Sequence, residues 1–380
     1  MAEIRALERS DLPEVANLYE HVARSGSWDA PAGLAGYFED TFLDYPWADP
    51  EISSLVYVDD GRITGFLGSN VRRFTYEGEP VRLAISGQLV TDPAVRSRAA
   101  GAFLLRRFLD GPQDLTITDT ASDEARRIWE GLGGETLHIG SIGWARVFSP
   151  LRSVWDFKTR SGGGRMTPVL RPVLSAVDAA GSLVARRALR VDPPKGSTEV
   201  LTAEAMGEHV ESVARPYQLR PAYDDRKGAA WLLEQIARVK PRGEMIARLV
   251  RAPEGRVQGW FVYYHRPGGI AQTLGVAGAR NDVGDVLDSL LADARERGAV
   301  AIQGRVEPHL LERLPERRAV FHKSGYLPLI HSRRAELLHA IHSGRALLTR
   351  LAGEWWMGHH LLFADEAKSA KSEPEPVDAS

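Results

Sequence analysis

The chain has 380 residues, a formal charge of −2, 43% hydrophobic and 26% charged residues, and no cysteine. Such a length predicts two or three globular units with ample apolar material for cores. The missing cysteine excludes a disulfide framework, a thiolate metal site, an iron–sulfur cluster and a cysteine nucleophile, and the near-zero charge argues against a broad nucleic-acid footprint.

In chain order, residues 3–7 read as a short strand, and Ser10 is the expected N-cap of a helix in which Leu12, Val15, Leu18, Tyr19 and Val22 recur at helical spacing. Residues 52–58, the turn DDGR and residues 63–69 predict a hairpin, which the turn EGEP and residues 81–90 extend into a meander. Residues 99–109 read as a helix, 115–118 as a strand, 123–132 as a helix and 138–147 as a closing strand. Strands first in a meander and then alternating with helices predict an α/β chain with a mixed sheet.

These elements fill a first unit at residues 1–150. A connector follows at 151–197, holding the flexible SGGGR and one helix-like stretch. A second α/β unit spans 198–345, then a packing segment at 346–364 with Glu354-Trp355-Trp356-Met357 as an aromatic cluster, and a disordered polar tail at 365–380. Two internal matches point to two copies of one fold. The hairpin Gly61-Arg62-Ile63-Thr64-Gly65-Phe66 is echoed by Gly255-Arg256-Val257-Gln258-Gly259-Trp260, and Trp129-Glu130-Gly131-Leu132-Gly133-Gly134 by Phe321-His322-Lys323-Ser324-Gly325-Tyr326. No apolar run approaches the roughly 20 residues of a membrane span. The opening MAEIRALERSDLPEV lacks the basic-then-apolar order of a signal peptide, so the expected compartment is the cytoplasm.

The chemistry concentrates at residues 84–109, AISGQLVTDPAVRSRAAGAFLLRRFL. A strand ends at Val90, Thr91-Asp92-Pro93 breaks it, and Arg96, Ser97, Arg98, Ala99, Ala100, Gly101 and Ala102 lead into a helix. Small residues there leave backbone N–H groups uncovered at a helix N-terminus, a site suited to phosphate, and flanking arginines add charge and fork geometry. The residues alone equally admit a helix started close against the sheet with its arginines solvated.

This segment resembles the acetyl-CoA loop of the GNAT N-acetyltransferases, Gln/Arg-x-x-Gly-x-Gly/Ala after a strand. Arg96 fills the first position, Ala99 stands where the first Gly is usual, and Gly101 fills the last. Ser122-x-x-Ala125-x-x-Ile128-Trp129-x-x-x-Gly133 resembles the family's later block. The resemblance covers residues 3–148 well and 198–335 in outline.

It implies a tandem two-copy arrangement with a degenerate second copy, a mixed α/β sheet in each, and acetyl-CoA as co-substrate. The cofactor residues so implied are Leu89 and Val90, whose backbone donors hold the acyl carbonyl, together with residues 96–102 and Ser122. The activity implied is transfer of acetyl to the amine of a small molecule by direct attack on the thioester. Asp119 is the first candidate for the base that takes the amine's proton and Glu79 the second; an ordinary turn or N-cap acid is the plainer reading of Asp119.

Two departures stand out: Trp129 occupies the place of a Tyr that protonates the leaving thiolate, and Ser122 replaces an Asn. In the second copy, Ala277-Gly278-Ala279-Arg280 lacks the loop pattern, and Asp282 and Asp285 are expected to repel phosphate. The alternatives are a non-catalytic binding protein of the same fold, or a tRNA-dependent transferase similar to the FemABX enzymes, which lack the CoA loop. No spacing of His, Asp or Glu predicts a metal site: His339 and His342 share a helix face without a third ligand. The aromatic loops at Tyr45-Pro46-Trp47 and Pro221-Ala222-Tyr223-Asp224-Asp225 suit either packing or acceptor recognition. A membrane is not expected as a partner, and the oligomeric state stays open.

Overall fold

A computed structural model describes residues 2–94, 99–150, 152–153, 189–223 and 226–362. The first copy runs β1 (Glu3–Ala6), α1 (Leu12–Tyr19), α2 (Ala32–Phe42), β2 (Leu55–Asp59), β3 (Arg62–Tyr76), β4 (Glu79–Thr91), α3 (Ala100–Leu109), β5 (Leu115–Ala121), α4 (Asp123–Gly131), β6 (Glu135–Thr136) and β7 (Ile142–Val147). The second runs β8 (Ser197–Val200), α5 (Ala203–Ala214), β9 (Leu219–Pro221), α6 (Arg226–Arg238), β10 (Glu244–Arg251), β11 (Val257–His265), β12 (Ile270–Gly278), α7 (Val283–Glu296), β13 (Ala301–Arg305), α8 (Arg313–Glu316), β14 (Val320–Lys323), β15 (Leu327–His331) and α9 (Ala335–His342).

Local chemistry explains most of these elements. Both turns of the meander, Asp60-Gly61 and Glu77-Gly78, place two successive residues at positive φ, the backbone that matches the twist of paired antiparallel strands. The chain enters α1 through a 3₁₀ turn at Arg9–Asp11 rather than through Ser10. There Asp11 accepts the Glu8 N–H at 2.8 Å and is held by both Arg5 nitrogens at 2.6 and 2.8 Å. A carboxylate that already satisfies the entering backbone leaves the Ser10 hydroxyl without that role. Arg5 also holds the Asp11 carboxyl below its ordinary range.

The sheets are mixed, as expected, but the copies exchange strands. One sheet has the order β1-β2-β3-β4-β5-β15-β6, with β9 on the free edge of β3; the other is β14-β7-β13-β12-β11-β10-β8. The closing strand of the first copy thus lies inside the second sheet, pairing Arg146 with Ile302, while β15 enters the first sheet, pairing Ile330 with Ile117. Two buried indoles fasten the exchange reciprocally. Trp129 donates to the Ile330 carbonyl at 3.1 Å, and Trp144 donates to the Arg305 carbonyl at 3.1 Å.

Of the two internal matches, the hairpin is structural: Gly61 and Gly255 both sit at positive φ in the β2–β3 and β10–β11 turns. The second pairs unlike elements, since Trp129 is on α4 whereas Phe321 is on β14. By its place in the order of elements the counterpart of α4 is α8, which has four residues. The largest core cluster draws on both copies, joining Leu83, Ile117 and Leu104 to Leu249, Trp260 and Leu329. Separate clusters lie under α7 (Val286, Leu287, Leu290) and under α1 and α2 (Val15, Leu18, Phe38). Each fully buried Leu there contributes roughly 1.5–3 kcal/mol. The segment after α9, from Ala346 to Met357, is buried for most of its length and threads between the sheets.

Candidate functional site

β4 and β5 run parallel and pair only over Leu83–Leu115, Ala84–Thr116 and Ile85–Ile117, after which they diverge. Just past the last pair, β4 carries a bulge: Leu67 faces Leu89 and Ser69 faces Ser86, so Gly87 and Gln88 together oppose Gly68. A bulge turns backbone groups out of the ladder and toward the opening. Tight packing fixes its position, because a Cβ on Gly68 would sit 2.6 Å from the Phe42 ring. Leu89 is half-buried under α3, while Val90 faces the α1–α2 core.

α3 begins at the open end of this cleft. Its N-cap, Ala99, is in the left-handed region at φ 55° and supplies no side-chain cap. Ala100 is buried, and a Cβ on Gly101 would only reach van der Waals distance of Thr91 and Leu89. Ala102 is half-buried one residue further on. Arg96, Ser97 and Arg98 lie outside the described residues. Ser122 caps α4, its hydroxyl accepting the Ala125 N–H at 3.2 Å. Glu79 is exposed at the start of β4, the end remote from the cleft.

Asp119 stands on the β5 side of the divergence and is buried. Its Oδ1 accepts the Glu354 and Trp355 N–H groups at 3.0 and 2.9 Å, and Arg305 lies 3.5 Å from Oδ2. Glu354 returns the interaction. β5 is itself bulged, with Leu329 opposite Thr118 and Leu327 opposite Ala121. Glu354 accepts the Asp119 N–H at 2.9 and 3.0 Å, the Thr120 N–H at 2.9 Å and the Thr120 hydroxyl at 2.8 Å, with the Thr118 hydroxyl as a further donor. Burial, and then the neighbouring Asp119 charge, push the Glu354 carboxyl well above its ordinary range. Gly353 permits the close approach: a Cβ there would lie 2.5 Å from the Asp119 carboxylate.

Glu354 is a residue that sequence reasoning passed over, as part of an aromatic cluster. Its signal was an acid inside an otherwise apolar run, since a buried carboxylate must find several donors.

The second copy repeats the geometry with different chemistry. β12 and β13 pair only from Ile270–Ala301 to Gln272–Gln303, and β12 bulges where Val262 faces Gly275 and Tyr263 faces Thr273. There the chain fills its own cleft: a Cβ on Gly275 would lie 3.0–3.2 Å from Leu351 and Thr349. The acids expected to repel phosphate are both engaged, Asp282 by two Arg256 nitrogens at 2.9 Å and Asp285 by Lys195 at 3.1 Å. A cavity of about 330 Å³ remains at the open end, among Tyr217, Arg280, His309, Arg313 and Arg345. Beside it, burial pushes the Glu307 carboxyl up to about 8 and the His309 imidazole down to about 4.

The aromatic loops pack. Trp47, Trp231 and Trp356 surround the buried Arg72 guanidinium at 5.1, 5.3 and 5.6 Å, and the Tyr45 hydroxyl accepts the Val71 N–H at 3.0 Å. Tyr223 is buried, while Asp224 and Asp225 lie outside the described residues. Among the described residues no three His, Asp or Glu side chains are grouped to hold a metal ion, and no helix is long and apolar enough to cross a membrane.

No family model matches this sequence, and no curated relative does. Solved structures do match in fold. A probable N-acyltransferase of Enterococcus faecalis aligns at TM-score 0.53 and 12% identity, over 87% of this chain and 72% of its own. A GCN5-related N-acetyltransferase of Anabaena variabilis aligns at 0.53 and 12%, over 88% and 74%. A GCN5-related N-acetyltransferase of Kribbella flavida aligns at 0.51 and 14%, over 87% and 70%.

Proposed function

From the tandem GNAT fold that this chain carries, we propose that its first copy binds acyl-CoA, most simply acetyl-CoA, and transfers the acyl group to the amine of a small molecule. The observation that carries this reading is the bulge at Gly87-Gln88, at the mouth of a β4–β5 cleft that opens under the uncapped start of α3. Backbone N–H groups at the bulge and at one of Leu89 and Val90, whose amides alternate sides of the strand, polarise the thioester carbonyl. The first turn of α3, from Ala99 to Ala102, takes the pyrophosphate with Arg96, Ser97 and Arg98, and Ser122 lies at the cleft's other wall.

In the reaction the amine nitrogen attacks the thioester carbonyl carbon, the C–S bond breaks, and the thiolate leaves with the CoA. Holding the two reactants together supplies most of the acceleration. The amine's proton passes to the Asp119–Glu354 carboxyl pair, directly or through water; Glu79 is too remote for that role. An indole supplies no acidic proton, and that of Trp129 is already committed to Ile330, so the thiolate takes its proton from the medium.

That same commitment, with the β5 amides closed by Glu354, favours a second reading, a protein of this fold that binds a thioester without turning it over. Calorimetric titration of acetyl-CoA into the full chain, repeated with Arg96→Ala and Arg98→Ala together, tests the first step. Micromolar binding lost in the double variant is the expected result, and no binding of acetyl-CoA or longer acyl-CoAs refutes both readings. Binding without acetyl transfer to any amine in a screen selects the second.

A further inference from the structure

Between the two sheets, behind the turn that follows β14, lies a cavity of about 110 Å³. Gln272 and Gln303 line it from the last paired position of β12 and β13. Arg350 and Trp355 reach it from the C-terminal segment, and His322 and Tyr326 stand at its exposed side.

Arg350 is the anomaly. It is 8% exposed, yet its guanidinium makes no hydrogen bond and no ion pair among the described residues; its close contact is the Trp355 ring at 4.6 Å. Its surroundings add positive charge, because Arg242 lies 3.7 Å over the same ring. Burial and the nearby Arg305 lower Arg350's hold on its proton, to about 10, whereas Asp119 and Glu307 act only through space. A guanidinium so largely buried, with no acceptor among the described residues, turns its donors to the cavity, where an anion that enters can accept them.

The lining defines the ligand. A guanidinium's parallel N–H groups fit a carboxylate. The Gln303 amide nitrogen donates to the Gln272 carbonyl at 3.1 Å, which leaves the Gln272 N–H groups as further donors and the Gln303 carbonyl as an acceptor. We propose that this cavity binds a small 2-hydroxy or 2-amino acid, its carboxylate on Arg350 and its adjacent O–H or N–H on the Gln303 carbonyl. The site is lined from β7, β12, β13, β14 with the turn after it, and the C-terminal segment rather than from β4 or β5, and Trp355 links it to the proposed proton acceptor through its backbone N–H on Asp119.

The test is calorimetric titration of L-lactate and L-alanine into the full chain without any thioester, with lactamide as the neutral control of matched shape. The expected result is binding of at least one acid, none of lactamide, and a loss of about tenfold or more in Arg350→Gln. Gln303→Leu leaves the charge in place and should weaken binding about three- to tenfold, which keeps the test intact should Arg350→Gln fail to fold. Absence of binding by either acid, equal binding of lactamide, or unchanged affinity in the variants overturns the assignment. None of these outcomes bears on acetyl-CoA binding, which the Arg96 and Arg98 variants report separately.

Discussion

Replacing Glu354 by Ala removes one carboxylate from four donors: the Asp119 and Thr120 N–H groups and the Thr118 and Thr120 hydroxyls. The hydroxyls can rotate toward other acceptors, but the two amides belong to a β5 bulge and have no strand partner there. Leaving a buried donor unsatisfied costs about 1–3 kcal/mol. Two such amides therefore cost about 2–6 kcal/mol, and relief of the burial that raises the Glu354 carboxyl offsets part of this. We expect a net loss of about 3 kcal/mol for Glu354→Ala and about 1 kcal/mol for Glu354→Gln, which keeps one carbonyl acceptor.

Urea unfolding at pH 7 followed by tryptophan fluorescence measures both. The pH dependence adds a sign. A carboxyl whose folded pKa is raised contributes stability that is complete below its unfolded value and is lost as pH rises through the folded one. Glu354→Gln should accordingly flatten the decline of stability on the alkaline side. If Glu354→Ala unfolds within about 0.5 kcal/mol of the parent, or Gln proves the costlier change, the amides do not depend on this carboxylate and the reasoning fails.

Four further outcomes are expected. Glu354→Gln should slow acetyl transfer by about 10²-fold or more with acetyl-CoA affinity unchanged, as loss of a proton acceptor does; a change in affinity alone refutes its role. Gly353→Ala drives a methyl to 2.5 Å from the Asp119 carboxylate and should cost about 2–4 kcal/mol in the same unfolding assay. Glu307, raised to about 8 from 4.5, should lose a few kcal/mol of stabilisation between about pH 5 and 9, so Glu307→Gln shows a flatter profile across that window. Trp129→Phe and Trp144→Phe each sever one indole–carbonyl bond and should each lose about 1–2 kcal/mol; a marked inequality means the exchange is not held symmetrically.

What could be read from the chain was local. Asp60-Gly61 and its echo at Gly255 announced hairpins through backbone requirements that few residues meet, and the α3 start was visible in its run of small residues. Partner choice was not legible. Residues 142–147 and 327–331 each look like strands, but period-2 patterning says nothing about which sheet a strand enters. The Trp129–Phe321 match misled for a related reason, since aromatic-then-glycine patterns serve both a helix end and a strand followed by a turn. At the site, Asp119 was legible as a strand-end acid, whereas its partner lies 235 residues away, a separation that no spacing rule spans.

The reciprocal placement of β7 and β15 gives the polypeptide the connectivity of a swapped homodimer drawn into a single chain. During synthesis the edge of β5 stays open until residues 327–331 leave the ribosome, so the first half waits on the second and must avoid sticking to other strands meanwhile. Two polypeptides, one ending near residue 153 and one beginning near residue 189, should then be inert apart and should assemble when mixed. The same interlock acts on descent. A substitution on β5 is tested against a strand encoded far downstream, so neither copy is free to drift into a protein of its own.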